Sequence, residues 1–206
     1  MDTHLRSSPG RPRALIFDVD GTLADTEEAH RLAFNDAFAE QGLPWRWSRE
    51  RYGVLLRTTG GKERLGAYID SLDIGPERRE ALRARIPELH RCKTAHYTRR
   101  IRAGAVPLRP GVRRLVDAAR AAGLRLAIAS TTTLENIEAL LAITLGADAP
   151  GWFAAIAAGD DAPRKKPAPD IYEIALSRLS LAPDGAVAFE DSALGVAAAK
   201  AAGLFT

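Results

Sequence analysis

Four short apolar segments, separated by amphipathic patterns, constrain the fold of this chain more than any other feature. Short continuous apolar runs are typical of parallel strands buried on both faces. Helical patterns over 112–122, 134–145 and 171–179 lie between them, and a fourth follows over 193–202. This alternation predicts an α/β fold with a doubly wound, parallel, Rossmann-like sheet. The four predicted strands are residues 14–17, 124–129, 153–157 and 186–189.

Residues 26–104 interrupt the alternation and contain only helical patterns. These cover 27–41, 49–57, 62–72 and 76–102, the last interrupted at Pro87. The pattern predicts an all-helical cap domain inserted after the first strand. The Rossmann-like core then comprises residues 14–25 and 105–206, and residues 1–13 form a short disordered basic tail.

Composition and termini indicate a cytoplasmic protein. The single cysteine, Cys92, excludes an internal disulfide and suits a reducing compartment. No apolar run approaches the roughly 20 residues that cross a bilayer, so no membrane partner is expected. The first residues have no apolar stretch of the kind found in secretory signals.

Positive charge is concentrated in the helical insertion, where sixteen lysines and arginines face eleven acidic residues. A basic segment beside an acidic remainder suggests an anionic ligand, although a solvated helical surface explains the charge equally well. Nucleic acid is not expected, because the basic residues are scattered among acids and no zinc-finger or RNP pattern is present. A small phosphorylated molecule is the alternative anion.

Acids, hydroxyls and a lysine follow the predicted strands. Ligands of doubly wound sheets bind at the carboxyl ends of the strands. Carboxylates there suit a hard cation, while hydroxyls, helix-start amides and a lysine suit a phosphate. Each cluster alone could be a turn or a helix cap, but their joint appearance favours a site. The clusters are Asp18-Val19-Asp20-Gly21-Thr22, Ser130-Thr131-Thr132-Thr133, Lys165-Lys166-Pro167 and Glu190-Asp191-Ser192.

These clusters resemble the four signature motifs of the haloacid dehalogenase superfamily. The resemblance covers residues 14–206 and rests on residues 17–22, Ser130, Lys166-Pro167 and Glu190-Asp191. Two further segments, 25–30 and 58–64, resemble the CbbY-like sugar-bisphosphate phosphatases. The resemblance implies a phosphatase that hydrolyses a sugar phosphate. The nearest activity is the hydrolysis of a pentulose bisphosphate such as xylulose 1,5-bisphosphate.

For the reaction itself, the resemblance implies that Asp18 attacks phosphorus and forms an aspartyl-phosphate. Asp20 then acts as general acid and base. Mg²⁺ is the implied cofactor, held by the carboxylate of Asp18, the backbone carbonyl of Asp20 and the carboxylate of Asp191. Glu190 either reaches the metal through water or supports its ligands.

For the transferring phosphate, the resemblance implies that Ser130, Thr131 and Thr132 bind its oxygens. Lys166 neutralises the developing charge, because phosphoryl transfer depends mainly on positioning and electrostatics. Lys165 also fits by residue type, but Lys166 directly precedes Pro167, as the family pattern requires.

Within the cap, Glu27 and His30 lie one turn apart, and the resemblance implies that they contact sugar hydroxyls. Two glycines and two basic residues open a later helix and could hold a second phosphate. His90 and Lys93 are weaker candidates, and His96 and His4 have no metal-ligand partner at a usable spacing. The glycine-rich helix start comprises Gly60, Gly61, Lys62 and Arg64.

Three other functions share parts of this pattern. A sugar-phosphate mutase uses the same aspartate pair, so the core motifs do not separate it from a phosphatase. A haloacid dehalogenase needs no metal, which the metal-ready acids disfavour, and a non-catalytic binding module would be expected to lose the nucleophile. The chain is expected to be a monomer.

The end of the sequence predicts a helix stop at Gly203 and the first residues of a fifth strand. The resembling family continues past this point, so the resemblance implies a C-terminally truncated chain. The strand over 186–189 would then lie at an uncovered sheet edge, which is an association hazard.

Overall fold

A four-stranded parallel sheet forms the centre of the molecule, in the order β3-β2-β1-β4. The computed structural model describes residues 11–206, so residues 1–10 of the predicted tail lie outside the described part. In the register, Phe17 of β1 lies beside Ile128 of β2 and Phe189 of β4, which brings the carboxyl ends of these strands level. The strands are β1 (Ala14–Phe17), β2 (Arg125–Ala129), β3 (Phe153–Ala157) and β4 (Ala186–Phe189).

Helices cover both faces of this sheet. The side chains of a strand alternate between faces, so Leu15 and Phe17 join one apolar layer while Ala14 and Ile16 join the other. The first layer includes α6 and α7, and the second includes α8 and α9. The predicted doubly wound core is therefore confirmed. Its helices are α6 (Val112–Ala121), α7 (Leu134–Thr144), α8 (Asp170–Leu179) and α9 (Ala193–Ala201).

The predicted helical insertion after β1 is also confirmed. It has an aromatic core of its own, built around Phe34, Phe38 and Trp47, which are almost fully buried. No residue between 26 and 104 forms part of a strand. The helices are α1 (Glu27–Glu40), α2 (Arg49–Leu55), α3 (Gly61–Asp70), α4 (Pro76–Ala84) and α5 (Ile86–Arg102).

The break in the last cap helix falls at Arg85 rather than at Pro87, where the sequence predicted it. Pro87 lies in the first turn of α5. A proline in the first turn lacks only an N–H that would have no partner within the helix. A proline in the helix interior would instead remove a backbone hydrogen bond and break the helix. The chain therefore ends α4 before Pro87 and begins α5 at Ile86.

Past α9 the chain returns to the sheet, as predicted. Phe205 forms a parallel bridge with Val187 of β4, and the Ala188 N–H donates to the Phe205 carbonyl over 2.8 Å. Within residues 11–206, no helix combines the length and apolarity needed to cross a bilayer.

Candidate active site

Asp18 directly follows β1 and is almost fully buried. Its backbone N–H donates to the carbonyl of Phe189, 3.0 Å away, which holds it level with the end of β4. The Lys166 ammonium donates to the Asp18 carboxylate over 2.7 Å and to the Ala129 carbonyl over 3.0 Å. It also bonds to Glu190. Lys166 therefore links the ends of β1, β2 and β4.

Three carboxylates converge beside this lysine. Asp18, Glu190 and Asp191 each offer an oxygen, and these oxygens all lie within 4.8 Å of one another. The Tyr172 hydroxyl donates to Glu190 over 2.5 Å, and the Thr22 hydroxyl donates to Asp191 over 3.1 Å. Acids packed this closely repel one another unless protons or cations accompany them.

The pKa values of two of these acids are raised, mainly by burial. Burial raises the pKa of Asp18 to about 7; Lys166 opposes the rise and Glu190 adds to it. Burial also raises the pKa of Asp191. Burial would lower the pKa of Lys166, but Asp18 and Glu190 raise it above its usual value, so the lysine stays charged. An all-oxygen set of carboxylates, two of which have raised pKa values, fits a hard divalent cation such as Mg²⁺.

A glycine permits this convergence. Gly21 has a φ of +87°, a conformation that residues with a Cβ rarely adopt. A Cβ at this position would also overlap the carboxylate of Asp191. The Asp-Xaa-Asp-Gly order thus lets the loop after β1 pass close to the loop after β4.

Asp20 faces the cap instead of the carboxylate cluster. The Thr26 hydroxyl donates to Asp20 Oδ1 over 2.6 Å, and His30 Nε2 lies 2.9 Å from the same oxygen. The other ring nitrogen of His30, Nδ1, lies 2.6 Å from the ammonium of Lys93. Hydrogen bonds therefore run from Lys93 through a neutral His30 to Asp20. Both His30 nitrogens are occupied, so this arrangement leaves none for the implied contact with sugar hydroxyls.

The pKa values agree with that direction of hydrogen bonding. Burial would raise the pKa of Asp20, but bonds from His30 and Thr26 hold it well below its usual range. Burial and nearby Lys93 lower the pKa of His30 to about 4, so the ring is neutral at physiological pH. Asp20 is a carboxylate in the free chain.

Lys93 was only a weak candidate from sequence, and Thr26 was not a candidate by itself. A signal for Lys93 was present, because Leu89, Lys93 and Tyr97 follow one another at four-residue intervals along α5. All three are buried. A lysine in line with two core residues of a helix is unusual, since lysine is rarely buried without a partner.

The burial of Lys93 should make the free energy of unfolding depend on pH. Burial lowers its pKa to about 7 in the folded chain from an ordinary 10.5. Between these values the unfolded chain binds more protons, so wild-type stability should rise with pH relative to Lys93→Met, by up to about 1.4 kcal/mol per pH unit. Denaturant unfolding at pH 7 and pH 9 measures the difference. Lys200→Met, at an exposed site on α9, keeps Lys93, so its stability should follow the wild-type pH profile. Parallel pH profiles for Lys93→Met and wild type would contradict the low pKa.

The loop after β2 supplies the predicted hydroxyls. Ser130 is fully buried, and its Oγ accepts a hydrogen bond from the Thr132 N–H over 3.3 Å. Thr131 and Thr132 line the cleft that also contains Asp18 and Asp20. A Cβ on Gly159 would collide with the Thr131 carbonyl. Ser130 thus shapes the loop, and the two threonines face the cleft.

The cap closes the opposite side of this cleft. Glu27, Gly60, Gly61 and Arg64 all line it. Lys62 does not face this cleft, because its ammonium pairs with Asp160 of the core over 3.0 Å. The structure therefore brings together most of the predicted cap residues and separates Lys62 from them.

Arg64 is held firmly at the cap end of the cleft. Its guanidinium donates to the Leu55 carbonyl over 3.2 Å, the Tyr52 hydroxyl over 3.2 Å and the Thr58 carbonyl over 3.1 Å. These bonds use three of the five N–H donors of arginine. A charged group with unused donors remains at the cleft.

A parallel sheet with acids at its strand ends, under a helical cap, defines a class of hydrolases. Residues 12–203 match the haloacid dehalogenase-like hydrolases. The chain belongs to this family, as its motifs predicted. A relative at 32% identity over 194 residues is the phosphorylated carbohydrates phosphatase of Thermotoga maritima, matched over 93% of this chain and 82% of the relative. The chain is a phosphatase of the family.

Within the family, the chain is of the CbbY type. Protein CbbY of Rhodobacter capsulatus is 55% identical over 192 residues, which are 93% of this chain and 82% of that protein. A crystal structure of CbbY from Rhodobacter sphaeroides in complex with phosphate superimposes with a TM-score of 0.86 at 48% identity, covering 94% of this chain and 84% of the other. A mutant of the same protein, at 47% identity, was solved with xylulose-(1,5)-bisphosphate.

Proposed function

We propose that this chain is a Mg²⁺-dependent phosphatase that hydrolyses a pentulose bisphosphate, such as xylulose 1,5-bisphosphate, through an aspartyl-phosphate. The observation that carries the proposal is a cleft with Asp18 and Asp20 on its core side and the fixed guanidinium of Arg64 on its cap side. The similarity to a CbbY crystallised with xylulose-(1,5)-bisphosphate supports the choice of sugar.

In the first step, a carboxylate oxygen of Asp18 attacks phosphorus and the bond from phosphorus to the sugar oxygen breaks. The leaving sugar oxygen takes a proton from Asp20, so the alcohol product departs neutral. Because Asp20 is ionised in the free chain, it must take up this proton as substrate binds. Lys166 stays charged beside Asp18 and stabilises the negative charge on the transferring group.

In the second step, water attacks the aspartyl-phosphate and restores Asp18. Asp20 is again a carboxylate after the first step, and it accepts the proton of the attacking water. The hydrogen bonds from Thr26 and His30 keep its pKa low in the free chain, and they orient its side chain towards the cap. A second phosphoryl transfer, to a sugar hydroxyl, would make the chain a mutase instead.

Asp18, Glu190 and Asp191 are the residues that would hold the metal, with the Asp20 carbonyl as the family pattern implies. Bound Mg²⁺ offsets the repulsion between the carboxylate nucleophile and an anionic phosphate.

A second phosphate requires a second anion site, and the cap side of the cleft offers one. Gly60 precedes the first turn of α3 with a φ of +90°, and no side chain caps the N–H groups of that turn. Helix N-termini favour anions, and Arg64, one turn into the same helix, adds a full charge. The part of the substrate away from the reacting phosphate would bind here.

Replacing Arg64 should therefore discriminate between substrates. We expect Arg64→Met to lower kcat/KM for the bisphosphate at least roughly 30-fold, which corresponds to about 2 kcal/mol of transition-state stabilisation. The reason is that the second phosphate loses one of its charged partners. Hydrolysis of an aryl phosphate, which has no second anion, should change little. Arg78→Met on the exposed surface of α4 is the matched control, and Lys62→Ala tests whether the lysine beside Asp160 contributes. Equal losses on both substrates would mean that Arg64 serves only to support the cap.

A substrate panel tests the proposed function directly. Released phosphate is measured for sugar mono- and bisphosphates with Mg²⁺, with EDTA, and after Mg²⁺ is restored. The proposal expects the highest kcat/KM for a pentulose bisphosphate and activity that is lost and regained with the metal. Conversion to an isomeric sugar phosphate without phosphate release would identify a mutase, and preference for a monophosphate would overturn the bisphosphate assignment.

A further inference from the structure

A second group of metal-type donors lies in the cap, and none of its members lines the catalytic cleft. Glu40 is the last residue of α1, while Cys92 and His96 lie one turn apart on α5. One donor atom from each residue falls within 4.8 Å of the other two. Glu40 Oε1 is 3.3 Å from Cys92 Sγ, and Glu40 Oε2 is 2.8 Å from His96 Nε2.

The packing of the two helices fixes the backbone beneath these donors. Lys93 and Tyr97, which directly follow Cys92 and His96, are buried in the cap, and Phe38 is buried two residues before Glu40. The donors themselves are only partly covered, and Glu40 is exposed. The site is therefore held on rigid elements and remains open to an ion from solvent.

We propose that Glu40, Cys92 and His96 form a binding site for a divalent cation of the zinc class, with water as a fourth ligand. Thiolate, imidazole and carboxylate together suit Zn²⁺ and its substitutes, whereas Mg²⁺ prefers oxygen ligands only. The all-oxygen cluster at Asp18 and this mixed set at Cys92 would thus select different metals.

The distances suit a tetrahedral ion after small side-chain movements. Bonds of about 2.0–2.3 Å to a tetrahedral zinc separate its ligand atoms by roughly 3.3–3.7 Å. Cys92 Sγ is at such a separation from Glu40 Oε1, whereas His96 Nε2 contacts the other oxygen, Glu40 Oε2. One donor atom from each of the three residues lies within 4.8 Å of the other two, so rotations of these side chains bring a single Glu40 oxygen to the ion together with Cys92 and His96. The ion replaces the Cys92 thiol proton, which leaves to solvent.

His96 has two groups competing for its Nδ1 atom. Arg99 Nη2 lies 2.7 Å from it, and Asp36 Oδ2 lies 3.7 Å from it. A donor at Nδ1 requires the ring proton to be on Nε2, which would block the metal. Binding therefore needs the exposed Arg99 to turn away, so that the proton sits on Nδ1 and Asp36 accepts it, an arrangement common behind metal-bound histidines.

Cobalt is a direct probe, because Cys92 is the only cysteine of the chain. The full reduced chain is titrated with Co²⁺ in excess Mg²⁺, and a thiolate-to-cobalt charge-transfer band can arise only at this site. We expect the band to saturate at one Co²⁺ per chain and to disappear on addition of Zn²⁺. Zn²⁺ should also raise the Tm of the wild type but not that of Cys92→Ser. No band, or no displacement by Zn²⁺, overturns the proposal.

Variants separate a built site from an isolated thiol. Glu40→Gln and His96→Gln should each raise the Kd for Co²⁺ by more than roughly 10–100-fold, which is the typical effect of removing a group that only hydrogen-bonds to a metal ligand. Arg99→Gln should lower the Kd. Glu88→Gln, which makes the same charge change as Glu40→Gln on the exposed surface of α5, should leave the Kd unchanged. Cys92→Ser should abolish the band and leave aryl phosphate hydrolysis at the wild-type rate, which also shows that the variant folds. If the band persists with an unchanged Kd in both Glu40→Gln and His96→Gln, Co²⁺ binds to the Cys92 thiol alone, and the proposed three-residue site is wrong.

Discussion

Asp18→Asn should lower kcat for every phosphate ester by on the order of 10⁴–10⁶-fold, as expected when the nucleophile of a covalent mechanism is removed. An amide has nearly the shape of the carboxylate but cannot attack phosphorus. The fold should persist, because the backbone bond to Phe189 remains and the replacement still accepts a hydrogen bond from Lys166. Steady-state release of phosphate measures the loss, and circular dichroism confirms the fold.

Trapping distinguishes a lost nucleophile from a damaged site. Quenched wild-type reactions should contain an acyl-phosphate that reacts with hydroxylamine, and Asp18→Asn should contain none. Asp117→Asn, on the exposed face of α6, controls for the change in charge. Turnover of Asp18→Asn within tenfold of wild type would show that another group attacks phosphorus.

The strand ends could be predicted because local pattern and topology agree there. An apolar run followed by an acid or a hydroxyl is visible without any tertiary information, and parallel strands place all such ends at one edge. Lys166 and Glu190 were therefore assigned to the site of Asp18 from sequence, and their side chains do meet. Helix type and order in the cap followed from periodicity in the same way.

Partners chosen by tertiary packing could not be predicted. The direction of Asp20 depends on Thr26, His30 and Lys93, and Lys93 is 63 residues from His30 in the chain. The position of Lys62 beside two glycines suggested a phosphate contact, but Asp160, 98 residues away, is its partner in the structure.

The cap cluster illustrates the same limit. His96 was given no metal-ligand partner from sequence, although Cys92 precedes it by one helical turn. Glu40, which completes the set, is 56 residues from His96 and becomes its neighbour only when α1 packs against α5. Spacing along one helix suggests a pair of ligands, and only the tertiary fold supplies a third.

Asp20→Asn should slow hydrolysis of a sugar phosphate by about 10²–10⁴-fold, the range supplied by general acid–base catalysis. The loss should differ between the two steps. A nitrophenolate leaves without a proton, so the variant should still transfer phosphate from nitrophenyl phosphate to Asp18. It should then stall, because the carboxylate that accepts the proton of the attacking water is absent.

The expected signature is a burst of nearly one nitrophenol per active site, followed by slow turnover, together with a hydroxylamine-reactive intermediate. Sugar phosphates, whose alkoxide leaving group needs protonation, should give no burst. Asp25→Asn removes a neighbouring exposed charge and should behave like wild type. A variant that loses the burst on nitrophenyl phosphate as well would assign Asp20 to positioning the nucleophile or the metal. Such a result would contradict its role as acid and base. The attack of Asp18 on nitrophenyl phosphate requires no proton for the leaving group and no water molecule, so the loss of an acid and base should not slow that step.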